Sequence, residues 1–411
     1  MKKINIIDLF AGCGGLTDGF EQTNEYHLIS AVEWDKAPIE CLKNRLKTKW
    51  KIANVDERII RFDIQRTNEL LNGWSNDKDY GTSKGLKYFV NEDGGYLDLI
   101  IGGPPCQAYS IAGRIRDENN MKKDYRNYLF ESYLKVVEEF KPKAFIFENV
   151  PGILSARPGD GELVVDKIRN AFNNAGYIIL DDLKKAAIDM SEYGIPQKRK
   201  RIIILGLNKE IYGEQSCKQL LSDFYNVLLP KRKLQKKATV FEAIGDLPKL
   251  YPLKNGEIIR LNGKKYSHTF SNIPVNNHFP RYHSVRDIKI FNLLSNDIAT
   301  GNNKFTSTES LKDLYTSLTG KESNIHKFHV LRWNEPSNLI PAHLFKDGLR
   351  HIHPDPNQAR TITVREAARL QTFDDDFEFI SKSNLDYKMI GNAVPPKFSK
   401  IIAETIKELL F

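Results

Sequence analysis

The chain has 411 residues, of which 41% are hydrophobic and 27% are charged. This composition provides enough apolar side chains for a folded core and excludes an intrinsically disordered protein, while the length favours two domains. The net charge of +9 favours a polyanionic partner without proving one, because an excess of this size is more often a matter of solubility.

The sequence contains no signature of a membrane span, a signal peptide or a disulfide framework. No window of about 18 uncharged apolar residues occurs, and the N-terminal apolar run meets Asp8 and a glycine cluster rather than a cleavage site. The four cysteines form no CxxC pair. We therefore expect a protein of the reducing cytoplasm, with any cysteine chemistry confined to one thiol.

Short apolar runs recur along the first half of the chain, and each ends at a turn signal. They cover residues 4–10, 27–34, 97–103, 144–150 and 201–207. Runs of this kind are typical of strands buried on both faces, as in a parallel sheet. A helical repeat of apolar residues over 129–140 lies between two of the runs. Strands that alternate with such helices predict an α/β fold with a doubly wound, mostly parallel sheet.

The composition changes at about residue 250. Residues 250–355 contain eight of the nine histidines and twelve asparagines, with 14 basic against 9 acidic side chains. We predict a catalytic and cofactor-binding domain over 1–249, a smaller irregular domain over 250–355, and a return to the first domain over 356–411. The polar stretch 72–96 is predicted to be a surface loop.

A glycine-rich turn, residues 8–15, follows the first predicted strand. Ligands bind at the carboxyl ends of strands in open α/β sheets, and glycine lets the backbone approach them closely. Glu33 follows Gly12 by 21 residues, at the end of the second run, where such folds place an acid on ribose hydroxyls. Trp34 could stack on adenine, and Asp63 ends a third plausible strand. The pattern suggests an adenosine-bearing cofactor without separating a dinucleotide from S-adenosylmethionine.

A second group of candidate residues follows the next strands. The run 97–103 leads through two prolines into Cys106, which such a stiff turn would present as a nucleophile. The alternative is a buried, inert cysteine. Glu148 ends the following strand and is a candidate general acid or base. Arg201 lies in a charge run that abuts another buried strand, where its guanidinium could hold an oxyanion or a phosphate.

Seven motifs together resemble a known family. In chain order they are FAGCGG, EWD, GGPPCQ, FENVPG, QKRKR, RTITVREAARLQTF and GNAVPP. The series resembles the DNA (cytosine-5)-methyltransferase family, in particular the bacterial enzymes of restriction–modification systems. The resemblance implies an S-adenosylmethionine-dependent methyltransferase fold and identifies residues 250–355 with a target-recognition domain. The matching motifs do not cover residues 72–96, residues from about 208 to 238, or this irregular domain.

The resemblance also assigns roles to individual residues. Cys106 matches the nucleophile, and Glu148, Arg199 and Arg201 match the groups that hold the target cytosine. The positions that match those around the cofactor S-adenosylmethionine are Phe10, Gly12, Gly14, Glu33, Trp34, Asp63, Pro105, Leu129, Asn392 and Val394. One departure occurs at residues 124–127, where DYRN replaces the family's Asp-x-Arg-Gly. Asparagine can adopt the positive φ that glycine would, so we expect the backbone to be kept.

The implied activity is methyl transfer from S-adenosylmethionine to carbon 5 of a flipped-out cytosine in a specific duplex DNA sequence, through a covalent Cys106 adduct. S-adenosylhomocysteine is the product, and residues 107–127 form a loop that closes over the base. The expected role is protection of host DNA beside a separately acting restriction endonuclease. A monomer suffices, and no metal is expected, since the spacing of His351 and His353 is weak evidence for a metal site.

Three alternatives remain open at this stage. A tRNA cytosine-5 methyltransferase would share the catalytic motifs, although the large recognition stretch argues for DNA. A non-catalytic DNA-binding repressor could keep the fold, but Cys106 and Glu148 count against it. The sheet alone would also permit a nicotinamide oxidoreductase, which the missing GxGxxG pattern disfavours.

Overall fold

The computed structural model describes residues 2–105, 129–157, 161–322, 328–346 and 348–411. The strands, in chain order, are β1 (Ile4–Leu9), β2 (Tyr26–Glu33), β3 (Ile59–Arg61), β4 (Trp74–Asp77), β5 (Gly81–Ser83), β6 (Leu99–Gly102), β7 (Ala144–Asn149), β8 (Tyr177–Ile178), β9 (Ala187–Asp189), β10 (Lys200–Asn208), β11 (Ile259–Leu261) and β12 (Lys264–Tyr266).

The α-helices are α1 (Gly15–Glu21), α2 (Lys36–Thr48), α3 (Val55–Arg58), α4 (Thr67–Asn72), α5 (Leu86–Glu92), α6 (Leu129–Phe140), α7 (Val164–Asn174), α8 (Lys209–Tyr212), α9 (Glu214–Asp223), α10 (Leu229–Lys231), α11 (Val240–Ile244), α12 (Val285–Ala299), α13 (Thr308–Thr319), α14 (Val364–Leu370), α15 (Ser383–Asn392) and α16 (Pro396–Leu410). No helix in the described part of the chain is long and apolar enough to cross a membrane.

The chain divides into two compact units at positions other than the predicted boundaries. The first unit comprises Met1–Tyr193, Lys200–Leu234 and Ala393–Phe411, and the second comprises Gly194–Arg199 and Gln235–Asn392. Residues 235–249 and 356–392 therefore pack with the irregular stretch rather than with the sheet. The assignment of residues 250–355 to target recognition stays a prediction.

The first unit is built on one large sheet with the strand order β3-β2-β1-β6-β7-β10-β8, and β9 pairs with β10. The pairs among β3, β2, β1, β6 and β7 are parallel. The strand order reverses between β1 and β6, and open α/β sheets bind their ligands at the carboxyl ends of the strands at such a point. The predicted α/β fold with a mostly parallel sheet is confirmed.

One of the five predicted strands runs in the opposite direction. β10 is antiparallel to β7, β8 and β9, whereas its apolar run suggested a parallel strand. Residues 202–208 are all buried. Burial on both faces produces an apolar run whichever way the strand points, so the pattern carried no information on direction.

The prediction of a surface loop over 72–96 is wrong. This stretch forms the β4–β5 hairpin and the helix α5. The ring of Trp74 stacks on Phe62 at a centroid distance of 3.8 Å, and Leu86 and Phe89 are buried. The polar and glycine residues that suggested a loop occupy both hairpin strands as well as the turns, and the few apolar side chains between them are enough to anchor both elements.

Helix α1 packs against the C-terminal segment through two glycines. A Cβ at Gly15 would overlap the carbonyl oxygen of Val394, and one at Gly19 would overlap backbone atoms at Pro396 and Lys400. Only glycine permits this approach, because neither backbone can give way like the end of a flexible side chain. The contact brings the segment around Val394 to the glycine-rich turn, some 380 residues away in the sequence.

The second unit has its own core and a buried ion pair. Its apolar cluster includes Phe291, Leu294, Val330 and Ile352. The guanidinium of Arg360 donates to both carboxylate oxygens of Glu366 at 2.7 Å, and both side chains are fully buried. Burial alone would raise the pKa of Glu366, but the charge and hydrogen bonds of Arg360, together with two nearby histidines, outweigh it and hold the pKa well below the usual range.

Candidate active site

The carboxyl ends of five strands lie level with one another. In the sheet register, Arg61 of β3 pairs with Glu33 of β2, Leu9 of β1 pairs with Gly102 of β6, and Gly102 pairs with Phe147 of β7. Neighbouring strands are about 4.8 Å apart. The residues that follow these ends therefore share one edge of the sheet, as the sequence predicted for Glu33, Asp63 and Glu148.

The turn after β1 has an alternating left-handed backbone. Phe10, Gly12 and Gly14 have φ angles of 61°, 58° and 91°. Such angles are strained for a bulky residue such as Phe10, and strain of this kind persists only where the surroundings determine it. The turn leads directly into α1, so the helix N-terminus and the backbone of the turn lie at the strand-end edge.

Glu33 is tied to this turn. One carboxylate oxygen accepts the N–H of Gly12 at 2.9 Å, and the other accepts the N–H of Asp35 at 2.8 Å. Burial raises the pKa of Glu33 above its usual value, although backbone hydrogen bonds from Asp35, Gly12 and Trp34 oppose the shift. A carboxylate has about four acceptor positions, so beside three backbone hydrogen bonds there is still a position for a ribose hydroxyl. Trp34, the next residue, is 46% exposed.

Asp63 lies at the third strand end, where its side chain accepts the N–H of Gln65 at 3.0 Å. Leu129 is buried and begins α6. Pro105 is exposed after β6, and Val394 is buried next to α1. The predicted cofactor residues of the first unit thus follow the ends of β1, β2, β3 and β6 or pack beside them.

Glu148 and Arg201 form a buried ion pair at the end of β7. The Nε of Arg201 lies 2.9 Å from Oε1 of Glu148, and each side chain is only 11% exposed. Burial lowers the pKa of Arg201, while the charge of Glu148 opposes this shift. The antiparallel direction of β10 explains the contact, because it brings the start of β10 to the edge where β7 ends.

The backbone after β6 packs closely on this pair. A Cβ at Gly103 would lie 2.7 Å from Oε2 of Glu148. The side-chain amide of Asn149 donates to the carbonyl of Pro104 at 3.4 Å, while its oxygen accepts the N–H of Val150 at 2.8 Å. The GGPP and FENV segments are therefore in direct contact. Cys106 and the predicted loop 107–127 lie outside the described residues.

Two predicted site residues belong to the second unit. Arg199 is fully buried, and its guanidinium donates to the carbonyl of Gly391 at 3.2 Å. Such contacts favour a structural role, and the predicted contact of Arg199 with the target base stays a prediction. Asn392 is exposed at the end of α15.

Asp8 is a buried carboxyl that the sequence reasoning did not single out. Burial raises its pKa to about 7, and Thr17 donates to it at 2.6 Å. Its other carboxylate oxygen has no hydrogen-bond partner among the described residues. Its position at the start of the DLFAGCGG motif was visible, but its burial under α1 was not. Perturbed carboxyls of this kind cluster at functional sites.

An adenosine-bearing cofactor suits the residues at this edge. The glycines of the left-handed turn allow a close approach of a ligand to the backbone, Glu33 is tied to this turn, and the half-exposed indole of Trp34 offers a flat apolar face. A metal would need a different donor set, and the described residues contain no group of three or more His, Cys, Asp or Glu side chains arranged to hold one.

Comparisons with known proteins point to one family. The family model for C-5 cytosine-specific DNA methylases matches residues 4–408. The chain is 34% identical to the type II methyltransferase M.Bpa9945I of Bacillus paralicheniformis over 98% of its own length and 99% of the relative's. It is 30% identical to the type II methyltransferase M.DdeI of Desulfomicrobium norvegicum over 98% and 88% of the two lengths.

Solved structures agree with this result. A prophage-encoded Escherichia coli protein described as a DNA modification methyltransferase superposes with a TM-score of 0.61 at 25% identity, covering 99% of both chains. The Dnmt2 methyltransferase of Schizosaccharomyces pombe superposes with a TM-score of 0.52 at 15% identity, covering all of both chains, which supports the fold alone.

Proposed function

We propose that this chain, which belongs to the C-5 cytosine-specific DNA methylase family, transfers a methyl group from S-adenosylmethionine to carbon 5 of a cytosine flipped out of duplex DNA. The observation that carries the proposal is the buried Glu148–Arg201 pair, in contact with the Gly103 backbone just before Cys106. An acid, a fixed cation and a nucleophile would then meet at the strand-end edge where the cofactor turn also lies.

The cofactor would be held by the turn that contains Phe10, Gly12 and Gly14. Glu33 would accept hydrogen bonds from the ribose, and Trp34 would stack on the adenine. The left-handed glycine turn and the hydrogen bond that ties Glu33 to it support this assignment. When bound, the cofactor supplies an electrophilic methyl group. The remaining proposed residues of the cofactor site are Asp63, Pro105, Leu129, Asn392 and Val394.

Carbon 5 of cytosine is a poor nucleophile, so the enzyme must first activate the ring. In the proposed mechanism, the thiolate of Cys106 adds to carbon 6, which breaks the aromaticity and turns the ring into an enamine. Negative charge then develops on ring nitrogen 3 and the exocyclic oxygen. Glu148, when protonated or sharing a proton, would donate to nitrogen 3, and Arg201 would stabilise the oxygen. After methyl transfer to carbon 5, a base such as water would remove the carbon 5 proton, and the Cys106 thiolate would leave carbon 6. A preorganised donor of this kind contributes about 3–4 kcal/mol to transition-state stabilisation.

The target base must leave the duplex, because the thiol and the cofactor must approach it from opposite sides. Extruding a nucleotide costs a few kcal/mol. Residues 107–127 are the proposed element that closes over the flipped base, and residues 250–355 are the proposed target-recognition region. The type II relatives support a role in restriction–modification beside a separate endonuclease. Action as a cytoplasmic monomer is part of the same proposal.

Bisulfite sequencing of DNA from cells that express the chain tests the proposal and reveals the target sequence. We expect cytosines to be protected at one short motif, and no protection in cells that express the Cys106→Ser variant. Transfer of tritiated methyl groups to purified duplex DNA and to tRNA separates the substrates. Labelling of tRNA alone would favour the RNA alternative, and absence of labelling in both would favour the repressor.

The β11–β12 hairpin supports DNA contacts by the second unit. Its turn residues Asn262 and Gly263 have φ angles of 48° and 75°, as expected for a tight two-residue hairpin. Arg260 and Lys265 lie directly opposite each other, are exposed, and make no ion pair with any described residue. Facing like charges destabilise a hairpin, and a polyanion would relieve this repulsion. A two-stranded ribbon also fits the major groove of DNA.

We expect Arg260→Gln and Lys265→Gln each to weaken DNA binding at every sequence and to reduce the slope of log affinity against log salt by about 1. Raising salt from about 50 to 200 mM should itself weaken binding strongly. Binding isotherms at several salt concentrations measure both effects. Arg286→Gln is the matched control, because Arg286 is already paired with Asp287 at 2.8 Å. Unchanged slopes in both hairpin variants would contradict phosphate contacts.

Gly103→Ala should reduce methyl transfer by about 10-fold or more, because the new Cβ would displace the Glu148 carboxylate from its place. Cofactor affinity, measured by calorimetry, should stay within about two-fold of the original, since the change lies outside the turn after β1. Lys218→Met serves as a control, because Lys218 is an exposed side chain that pairs with Glu214 at 2.8 Å. Full activity in Gly103→Ala would show that the carboxylate position is not critical.

A further inference from the structure

The β4–β5 hairpin belongs to none of the motifs that the chain shares with its family, yet it is anchored beside the proposed cofactor site. We propose that Arg61 is a positioning residue for this site and that the hairpin, acting through Arg61, holds Trp34 in the conformation that receives the adenine ring. The inference rests on the proposed function, since it takes Trp34 as part of the cofactor site.

Arg61 links the hairpin to Trp34 directly. Its Nε donates to the carbonyl of Trp34 at 3.3 Å, and its Nη1 donates to the carbonyl of Asp79 in the hairpin turn at 3.1 Å. The guanidinium also lies 5.3 Å from the ring centroid of Tyr80, within the range of a cation–π interaction. One planar group thus connects the last residue of β3, the residue after β2 and the hairpin turn.

The hairpin itself is firmly held. Trp74 stacks on Phe62, and Tyr80 meets the same ring edge-on at 5.0 Å. Arg66 pairs with Asp77 of the hairpin at 2.7 Å. Phe62 immediately precedes Asp63, and its N–H donates to the carbonyl of Glu33 at 3.0 Å. The hairpin therefore packs on Phe62, whose backbone adjoins Asp63 in the sequence and is hydrogen-bonded to Glu33.

This arrangement suits a positioning role. Trp34 directly follows a strand end, and its side chain is half-exposed, so burial alone restrains it little. Fixing its backbone before the ligand arrives reduces the conformational entropy that binding would otherwise lose. Only an arginine at position 61 can donate to two carbonyls from one rigid fork while stacking on Tyr80.

The test measures binding of S-adenosylhomocysteine to the full chain by calorimetry. Arg61→Met should weaken affinity by about three- to ten-fold, while kcat at saturating cofactor and KM for DNA change by less than about two-fold. Arg61→Lys should recover part of the affinity, because its ammonium can reach one of the two carbonyls. Tyr80→Leu offers a second probe, with a smaller loss expected from removing the ring beside the guanidinium.

Lys84→Met is the matched control. Lys84 lies just beyond the hairpin and pairs loosely with Glu57 at 3.8 Å, without contact to Trp34. The Lys84→Met variant should bind S-adenosylhomocysteine with the same affinity as the unaltered chain. Unchanged affinity in both Arg61→Met and Tyr80→Leu would overturn this inference but leave the proposed function intact. A loss of affinity in Lys84→Met as large as that in Arg61→Met would do the same. If the unaltered chain bound no S-adenosylhomocysteine, the proposed function would fail, and the inference with it.

Discussion

Replacing Cys106 with serine is expected to reduce methyl transfer at least about 1,000-fold while leaving cofactor affinity within about two-fold. A free thiol has a pKa of about 8.5, so a few per cent is already thiolate at neutral pH and the site can increase that fraction. A serine hydroxyl is essentially un-ionised at this pH and is a much weaker nucleophile. The cofactor turn follows a different strand, so binding should not suffer.

Single-turnover methyl transfer to duplex DNA and calorimetry with S-adenosylhomocysteine measure the two expected effects of Cys106→Ser. Cys217→Ser is the control, because that thiol is buried against the carbonyl of Leu207, where a hydroxyl finds an acceptor. We expect it to retain activity. Activity of Cys106→Ser near that of the unaltered chain would exclude covalent catalysis by this residue.

The strand ends were predictable because each is marked in the sequence by a change of residue type. An apolar run followed by glycine or proline located β1, β6 and β7 to within a few residues. The shared edge then followed from the rule for parallel strands, which is why Glu33 and Glu148 could be named. Strand direction leaves no such mark, so the antiparallel β10 was not foreseen.

Contacts between distant segments were beyond the sequence reasoning. Arg201 was named from a charge run and a motif, but its partner Glu148 depends on how two strands pair. The hairpin over 74–83 was missed because its stability comes from Trp74 packing on Phe62. Neither the sequence around Trp74 nor the sequence around Phe62 reveals this contact. The burial that raises the pKa of Asp8 likewise arises from α1 covering the sheet.

The second large effect is expected at the Glu148–Arg201 pair. Arg201→Met should reduce methyl transfer by about 100- to 1,000-fold, because a donor to the developing charge is lost. Glu148→Gln should reduce it by a similar factor, because an amide cannot deliver the proton to ring nitrogen 3. Each change also leaves one buried charge without its partner in the pair, so each should lower the free energy of unfolding by about 3 kcal/mol.

The double variant Glu148→Gln/Arg201→Met separates catalysis from stability. With both charges gone, most of the stability lost in either single variant should be regained. Methyl transfer should remain as slow as in the less active of the two single variants. Urea unfolding and single-turnover rates on the same samples measure both quantities. Lys218→Met, which removes an exposed pair with Glu214, should change the free energy of unfolding by less than about 1 kcal/mol. If activity returned together with stability in the double variant, the pair would only support the fold, and the acid and the cation of the proposed mechanism would have to be sought elsewhere.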